Sequence, residues 1–243
     1  MLPRAPDPNR GLDVRQLIVL GGGGFSQEKN RALDRHFLAQ TGRKRPRILF
    51  VGTASGDAES YRYRFYEAMA ELPCRATHLS LFAPPVADLE SFVLGHDAVY
   101  VGGGNTRSLL ALWREWRFDA ILRRAWRRGI VIGGVSAGMI AWFAWGVTDS
   151  VPGALTPLSC LGWLPGTACP HYDSEPERRP TFRRLVATGA VPDGVAADDG
   201  VALHFVGGAL HDVVSARPDA RAYRVERVGA RARETPIVPR RVD

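Results

Sequence analysis

Cysteine is scarce in this chain of 243 residues, and Cys74, Cys160 and Cys169 have neither CxxC spacing nor the even count of a disulfide framework. Unpaired thiols in a reducing compartment are the expectation, with no zinc or other metal bound. No uninterrupted apolar stretch approaches the ~20 residues needed to span a bilayer, and Met1 to Arg10 lacks the apolar run of a signal peptide. The sequence therefore reads as a soluble cytoplasmic protein with no membrane partner. No GxxxxGK[ST] loop occurs, so the usual phosphate cradle is missing. Nor does any shift of composition mark a boundary between two large domains. Residues 12–230 read as a single α/β domain, with 1–11 and the Arg-rich, Pro-containing 231–243 as flexible tails.

Negative charge is also in short supply: 25 Asp and Glu against 32 Lys and Arg leave a formal net charge of +7. The excess is mostly arginine, clustered at Arg123, Arg124, Arg127 and Arg128, at Arg178, Arg179, Arg183 and Arg184, and at Arg231, Arg233, Arg240 and Arg241. These clusters fall at helix-like spacings without a recognition motif or regular aromatic interleaving, so they read as solvated faces, and no nucleic-acid partner is expected. A basic group beside an active site would instead attract an acidic substrate.

What is present is a repeated unit. Gln16–Leu20, Arg47–Val51, Ala98–Val101 and Ile130–Ile132 are short apolar runs that each lead into glycine, and amphipathic stretches at Gln27–Gln40, Tyr61–Leu72 and Ser108–Arg128 separate them. Strand, glycine turn and helix in alternation predict an α/β fold: a mostly parallel central sheet, helices on both faces, and ligands outside the carboxyl ends of the strands. After Asp149 the pattern changes to loops and two further strands, Val201–Gly208 and Ala222–Val228, expected as extra edge strands in the C-terminal half.

Chemistry concentrates at Gly134-Val135-Ser136-Ala137-Gly138. Gly-x-Ser-x-Gly between a buried strand and a helix lets the chain turn sharply around a serine and expose its hydroxyl. The helix that follows would aim its first N–H groups, beginning with Ala137, and its dipole at an oxygen that becomes negative. A second loop, Gly102-Gly103-Gly104-Asn105-Thr106, ends a strand and could turn backbone N–H groups into the same cleft, with Asn105 or Thr106 capping the next helix. Gly21 to Gly24 after the first strand is a weaker signal, because the third glycine of a dinucleotide fingerprint would fall at Ser26. No cofactor is expected.

A serine needs a base, and the base needs an orienting group. His36, His78, His96, His204 and His211 lie in amphipathic segments, strands or turns, where histidine is usually structural or exposed. His171 stands in the loop-like Cys169-Pro170-His171-Tyr172-Asp173, which makes it the candidate base. Asp149, after the serine helix, and Asp199, before a late strand, both qualify as the third member.

Taken together, the glycine run at 21–24, the loop at 102–106, the serine elbow, Leu161-Gly162-Trp163-Leu164-Pro165, Pro170-His171-Tyr172 and Asp199-Gly200-Val201-Ala202-Leu203 resemble the peptidase E family. That family includes cyanophycinases and shares a fold with class I glutamine amidotransferases. The resemblance implies a peptidase that hydrolyses dipeptides beginning with aspartate through Ser136, His171 and Asp199, with Asp149 as the alternative acid. It implies an oxyanion site at Gly103, Gly104 and Ala137, and substrate contacts from Asn105, Thr106, Tyr172 and Arg179. Arg179 would hold the substrate's side-chain carboxylate through its planar guanidinium. Arg107 stands where the family commonly has an aromatic residue. The partner implied is a small peptide, and monomer and homodimer both remain open.

Overall fold

The computed structural model describes residues 14–28 and 30–243. Its first half runs β1 (Gln16–Leu20), α1 (Ala32–Ala39), β2 (Arg47–Val51), α2 (Glu59–Ala70), β3 (Arg75–Leu79), α3 (Leu89–Leu94), β4 (Ala98–Val101), α4 (Thr106–Glu115) and α5 (Phe118–Arg127). Then come β5 (Val131–Val135), α6 (Ala137–Ile140), β6 (Phe143–Thr148), β7 (Thr156–Ser159), β8 (Leu164–Cys169), α7 (Arg178–Thr188) and β9 (Gly194–Ala197). The chain closes with β10 (Val201–Val206), β11 (Ala209–Ser215), β12 (Ala222–Val228), β13 (Arg231–Ile237) and β14 (Arg240–Arg241).

Period-two alternation builds the layers. Leu17, Val19, Leu49, Val51, Val99 and Val101 face one core with Leu109, Leu110 and Trp113 of α4 and Leu122 of α5. Ile18, Leu20, Ile48, Phe50, Ala98 and Tyr100 face the other, with Leu33 and Phe37 of α1 and Phe65 and Met69 of α2. Because both faces are covered, these strands read as continuous apolar runs. β1, β5, β4, β2 and β3 lie side by side and parallel, and β10, β11 and β14 extend the sheet beyond β1. β10 pairs antiparallel with β1 and with β11.

Three expectations are corrected. The predicted helix over 108–128 is two helices, α4 and α5, separated at Trp116 and Arg117, whose φ of 50° breaks the run. The late strands are not all edges of the main sheet: β6, β7, β8, β9, β12 and β13 form a second, six-stranded sheet in the order β13-β12-β9-β8-β6-β7. α7 packs Phe182, Leu185 and Val186 on that sheet against Val147, Ala196 and Val225. Finally, 231–243 is no loose tail, since β13 pairs along its whole length with β12 and β14 pairs with β11. The other predicted tail, 1–11, lies outside the described residues. Among the described residues no helix is long and apolar enough to cross a membrane.

One core carboxylate stands out. Asp34, 2% exposed, accepts a hydrogen bond from Phe25 N–H at 3.2 Å through Oδ1, while Oδ2 has no hydrogen-bond partner. Burial, reinforced by the charge of Glu28, pushes its pKa up to about 7. The folded protein thus holds a proton that the unfolded chain releases near 3.8. Its contribution to stability is fully present below that lower value and is lost as pH rises through about 7. Asp34→Asn should flatten this decline, gaining stability relative to the parent at pH 8 but not at pH 4, as read by urea melts at the two pH values.

Candidate active site

The serine elbow is shaped by one carbonyl. A Cβ added to Gly134 would lie 2.0 Å from Val101 O on β4, and one added to Gly138 would lie 2.3 Å from the same oxygen. Both glycines of Gly-x-Ser-x-Gly are therefore required by the close pass of β4, and Ser136 is left between them at φ 58°, ψ −108°. Such a conformation costs a non-glycine residue of the order of 1–3 kcal/mol and persists only where neighbours hold it. Here Ser136 N–H donates to Leu20 O at 3.1 Å, and Ser136 O accepts from Met139 and Ile140 at 2.8 and 3.1 Å. The helix behind the serine is a single turn, after which β6 begins, so the expected dipole of a full helix is reduced to the local field of its first N–H groups.

His171 belongs to the same scaffold. Its N–H donates to Gly21 O at 3.1 Å, one residue beyond the carbonyl that holds Ser136, and Gly200 N–H donates to Gly22 O at 3.1 Å. Three successive carbonyls at the end of β1 thus anchor Ser136, His171 and the residue after Asp199. The imidazole Nδ1 lies 2.7 Å from Asp199 Oδ1, with both side chains mostly buried. Nδ1–H donating to the carboxylate leaves Nε2 as the free basic nitrogen. Burial works to raise Asp199, but the hydrogen bond and charge of His171, with Ser174 and Arg217, hold its carboxyl below the ordinary value.

Asp199 is itself positioned. Its N–H donates to Asp173 Oδ1 at 2.8 Å, and Arg217 bridges Asp173 Oδ2 at 2.7 Å and Asp199 O at 2.9 Å. Asp149 points elsewhere: its exposed carboxylate lies 3.7 Å from Arg178, which is anchored by Glu175 at 2.7 Å and Val147 O at 2.8 Å. Of the two rival acids, Asp199 is the one hydrogen-bonded to His171.

The glycine run after β1 lets the backbone pass close beside this pair. A Cβ on Gly22 would fall 1.8 Å from Asp199 Oδ1 and 2.9 Å from His171 Nδ1, and one on Gly21 would fall 2.4 Å from Ala197 O.

The loop after β4 reaches the serine from the opposite side. A Cβ on Gly103 would lie 3.2 Å from Ser136 Cβ and 3.7 Å from Ser136 Oγ, and one on Gly104, at φ 133°, would fall 2.3 Å from Ala54 O. Ala137, 1% exposed, directly follows the serine. Asn105 and Thr106 are used by the fold. Asn105 Oδ1 accepts from Ser108 N–H at 2.9 Å, capping α4, and its Nδ2 donates to Ser150 O at 3.0 Å. Thr106 is buried in the first turn of α4.

The predicted carboxylate receptor is already engaged. Arg179, at the start of α7, forms an ion pair with Glu234 of β13 and lies over the rings of Tyr172 and Tyr223 at 5.5 and 4.9 Å. Tyr172 donates its hydroxyl to the second oxygen of Glu234 at 2.6 Å. Sequence reasoning missed Glu234, in a segment taken for a tail, along with Asp173, Arg217 and Tyr61. None of these carries a local motif; only the fold brings them to the site.

Residues 17–213 match the model of Peptidase family S51. The chain belongs to that family. Among its relatives, "Uncharacterized peptidase YgaJ" of Bacillus subtilis (strain 168) is 52% identical over 92% of this chain and 97% of its own length. "Peptidase E" of Streptomyces coelicolor is 34% identical over 54% of this chain and 53% of its own. Two solved structures share the fold at 18% identity each. A peptidase from an acI-B1 Actinobacterium gives a TM-score of 0.69 over 95% of this chain and 96% of that one. A putative peptidase E from Listeria monocytogenes EGD-e gives 0.61 over 84% and 98%. This S51 chain is accordingly a peptidase.

Gly22 offers a direct handle on the site. Gly22→Ala should part His171 from Asp199 and lower kcat by at least about tenfold, or 1.4 kcal/mol, in a peptide-hydrolysis assay. Circular dichroism of the variant should still report the parent's secondary structure.

Proposed function

We propose that the protein is a serine peptidase of short peptides in which Ser136 attacks the scissile carbonyl. The carrying observation is that Ser136 and His171 hang on the adjacent carbonyls of Leu20 and Gly21, at the carboxyl end of β1, while Asp199 holds Nδ1 of His171 at 2.7 Å. His171 Nε2 takes the serine proton, Asp199 stabilises the resulting imidazolium, and the same proton passes to the leaving amine. The negative oxygen of the tetrahedral intermediate is received by backbone N–H groups at Gly103, Gly104 and Ala137. A water molecule, activated by His171 in its turn, hydrolyses the acyl-enzyme.

The finer reading is a preference for dipeptides with N-terminal aspartate, whose side-chain carboxylate Arg179 would bind. A substrate carboxylate must then compete with Glu234, which favours a second reading, a broader small-peptide hydrolase on the same triad.

Ser136→Ala should abolish turnover, a fall of at least about 10³-fold in kcat, with the melting temperature within a few degrees of the parent. Turnover at the parental rate by the purified variant would exclude Ser136 as nucleophile. Among substrates, Asp-Leu should be cleaved faster than Asn-Leu and Ala-Leu, and Glu234→Gln should widen the gap by releasing Arg179. Equal kcat/KM for all three peptides in the parent would establish the broader reading.

A further inference from the structure

Tyr61 lies on α2 and carries no motif, yet its hydroxyl oxygen accepts the Gly103 N–H at 3.2 Å. Gly103 is the residue whose added Cβ would stand 3.2 Å from Ser136 Cβ and 3.7 Å from Ser136 Oγ. The phenol and the candidate nucleophile therefore flank the same backbone unit. The ring is fixed in place: it tilts against Phe25 at 5.1 Å, meets Phe50 edge-on at 5.5 Å, and lies close enough to Gly102 that a Cβ there would be 2.7 Å from Cε1. Phe50 in turn stacks on Phe65 at 4.6 Å. Nothing in this packing needs the hydroxyl, since phenylalanine would fill the same space. Burial raises the phenol's pKa above its ordinary value of 10, against smaller opposing effects of Gly103 and Ser26, so the group keeps its proton wherever a peptidase works. The hydroxyl that accepts from Gly103 also hydrogen-bonds the Ser26 side chain, and its O–H can be redirected by rotation about the C–O bond.

We infer that Tyr61 is a further hydrogen-bond donor at the oxyanion position of this peptidase, an assignment that rests on Ser136 being the nucleophile. In the resting enzyme its oxygen satisfies the Gly103 amide, which would otherwise stand unpaired beside the serine. When Ser136 adds to the carbonyl, the oxygen that becomes negative shares the Gly103 N–H with the phenol oxygen, and the phenolic O–H rotates about its C–O bond, away from Ser26, to the same oxygen. No bond to Tyr61 is made or broken, and its proton stays on the phenol. Because this interaction arises only as charge develops, it acts on kcat and leaves ground-state binding nearly unchanged. Removing one oxyanion donor elsewhere lowers kcat by about 10²–10³-fold.

Tyr61→Phe should lower kcat by about 10²-fold with KM within about threefold of the parent, and should slow labelling by a serine-reactive fluorophosphonate, whose phosphoryl oxygen seeks the same donors. A second substitution separates donation from packing. 3,5-Difluorotyrosine in place of Tyr61 keeps ring and hydroxyl but ionises at lower pH, and a phenolate cannot donate. Its kcat should match the parent's at acidic pH and fall as pH rises, where the parent's does not. Parental kcat for Tyr61→Phe, a change confined to KM, or a parental pH profile for the fluorinated enzyme overturns the assignment. Should Tyr61→Phe fail to fold, the fluorinated enzyme decides alone. If Ser136→Ala retains turnover, the nucleophile itself is wrong, an outcome distinct from a Tyr61 result obtained on a Ser136-dependent enzyme.

Discussion

The carboxyl end of β1 is the constraint on which the site depends. The carbonyls of Leu20, Gly21 and Gly22 receive the N–H groups of Ser136, His171 and Gly200, each at 3.1 Å. Those residues come from the end of β5, the loop after β8 and the turn before β10, separated by up to 64 positions in sequence. Adjacent Cα atoms are about 3.8 Å apart, so anchoring on successive peptide units gathers the three segments at one strand end. A side-chain network could do this only with more rotatable bonds to order. Backbone anchors supply the rigidity from which preorganised catalysis draws its advantage.

Close backbone approach explains why glycine dominates the surroundings. Gly134 and Gly138 both face Val101 O, Gly22 faces the His171–Asp199 pair, and Gly103 faces Ser136. At each of these positions the backbone passes too close to its neighbour for a side chain. The strain at Ser136 and the positive φ of His171, 52°, belong to the same crowding. The second sheet takes part as well: β8 leads directly into His171, β9 leads toward Asp199, and β13 carries Glu234 to Arg179.

Much of this was legible in the sequence for definite physical reasons. The runs at 16–20, 47–51 and 98–101 are apolar on both faces because helices cover both, so the layered parallel sheet followed from pattern. The serine elbow was legible because Gly134 and Gly138 are bound to it by local geometry. His171 emerged by its loop setting, but Asp199 and Asp149 stayed indistinguishable, since the direction of a side chain from a turn depends on what packs behind it. The second sheet as a separate layer, and the pairing of β12, itself expected as a strand, with β13, were missed because charged residues fill their exposed face. Arg231, Arg233 and Glu234 read as solvent-loving tail, although β13 is fully paired and Glu234 is largely enclosed. Tyr61 read as one more aromatic on an amphipathic helix, and no spacing rule links it to Gly103.

Anchoring by backbone groups also determines how the site tolerates change. Carbonyl direction alternates along an extended strand, so register at the end of β1 is set by the number of peptide bonds and not by side-chain identity. Conservative replacements at Leu20 alter packing but leave its carbonyl in place. Insertion or deletion of a single residue between Val19 and Gly22 would turn each carbonyl toward the wrong neighbour and displace serine, histidine and aspartate together. Ser136 follows β5 directly, and His171 and Asp199 each stand two residues beyond β8 and β9, so these approaches leave equally little room for a change of length. The relative placement of these three residues is thereby set by strand register on every side.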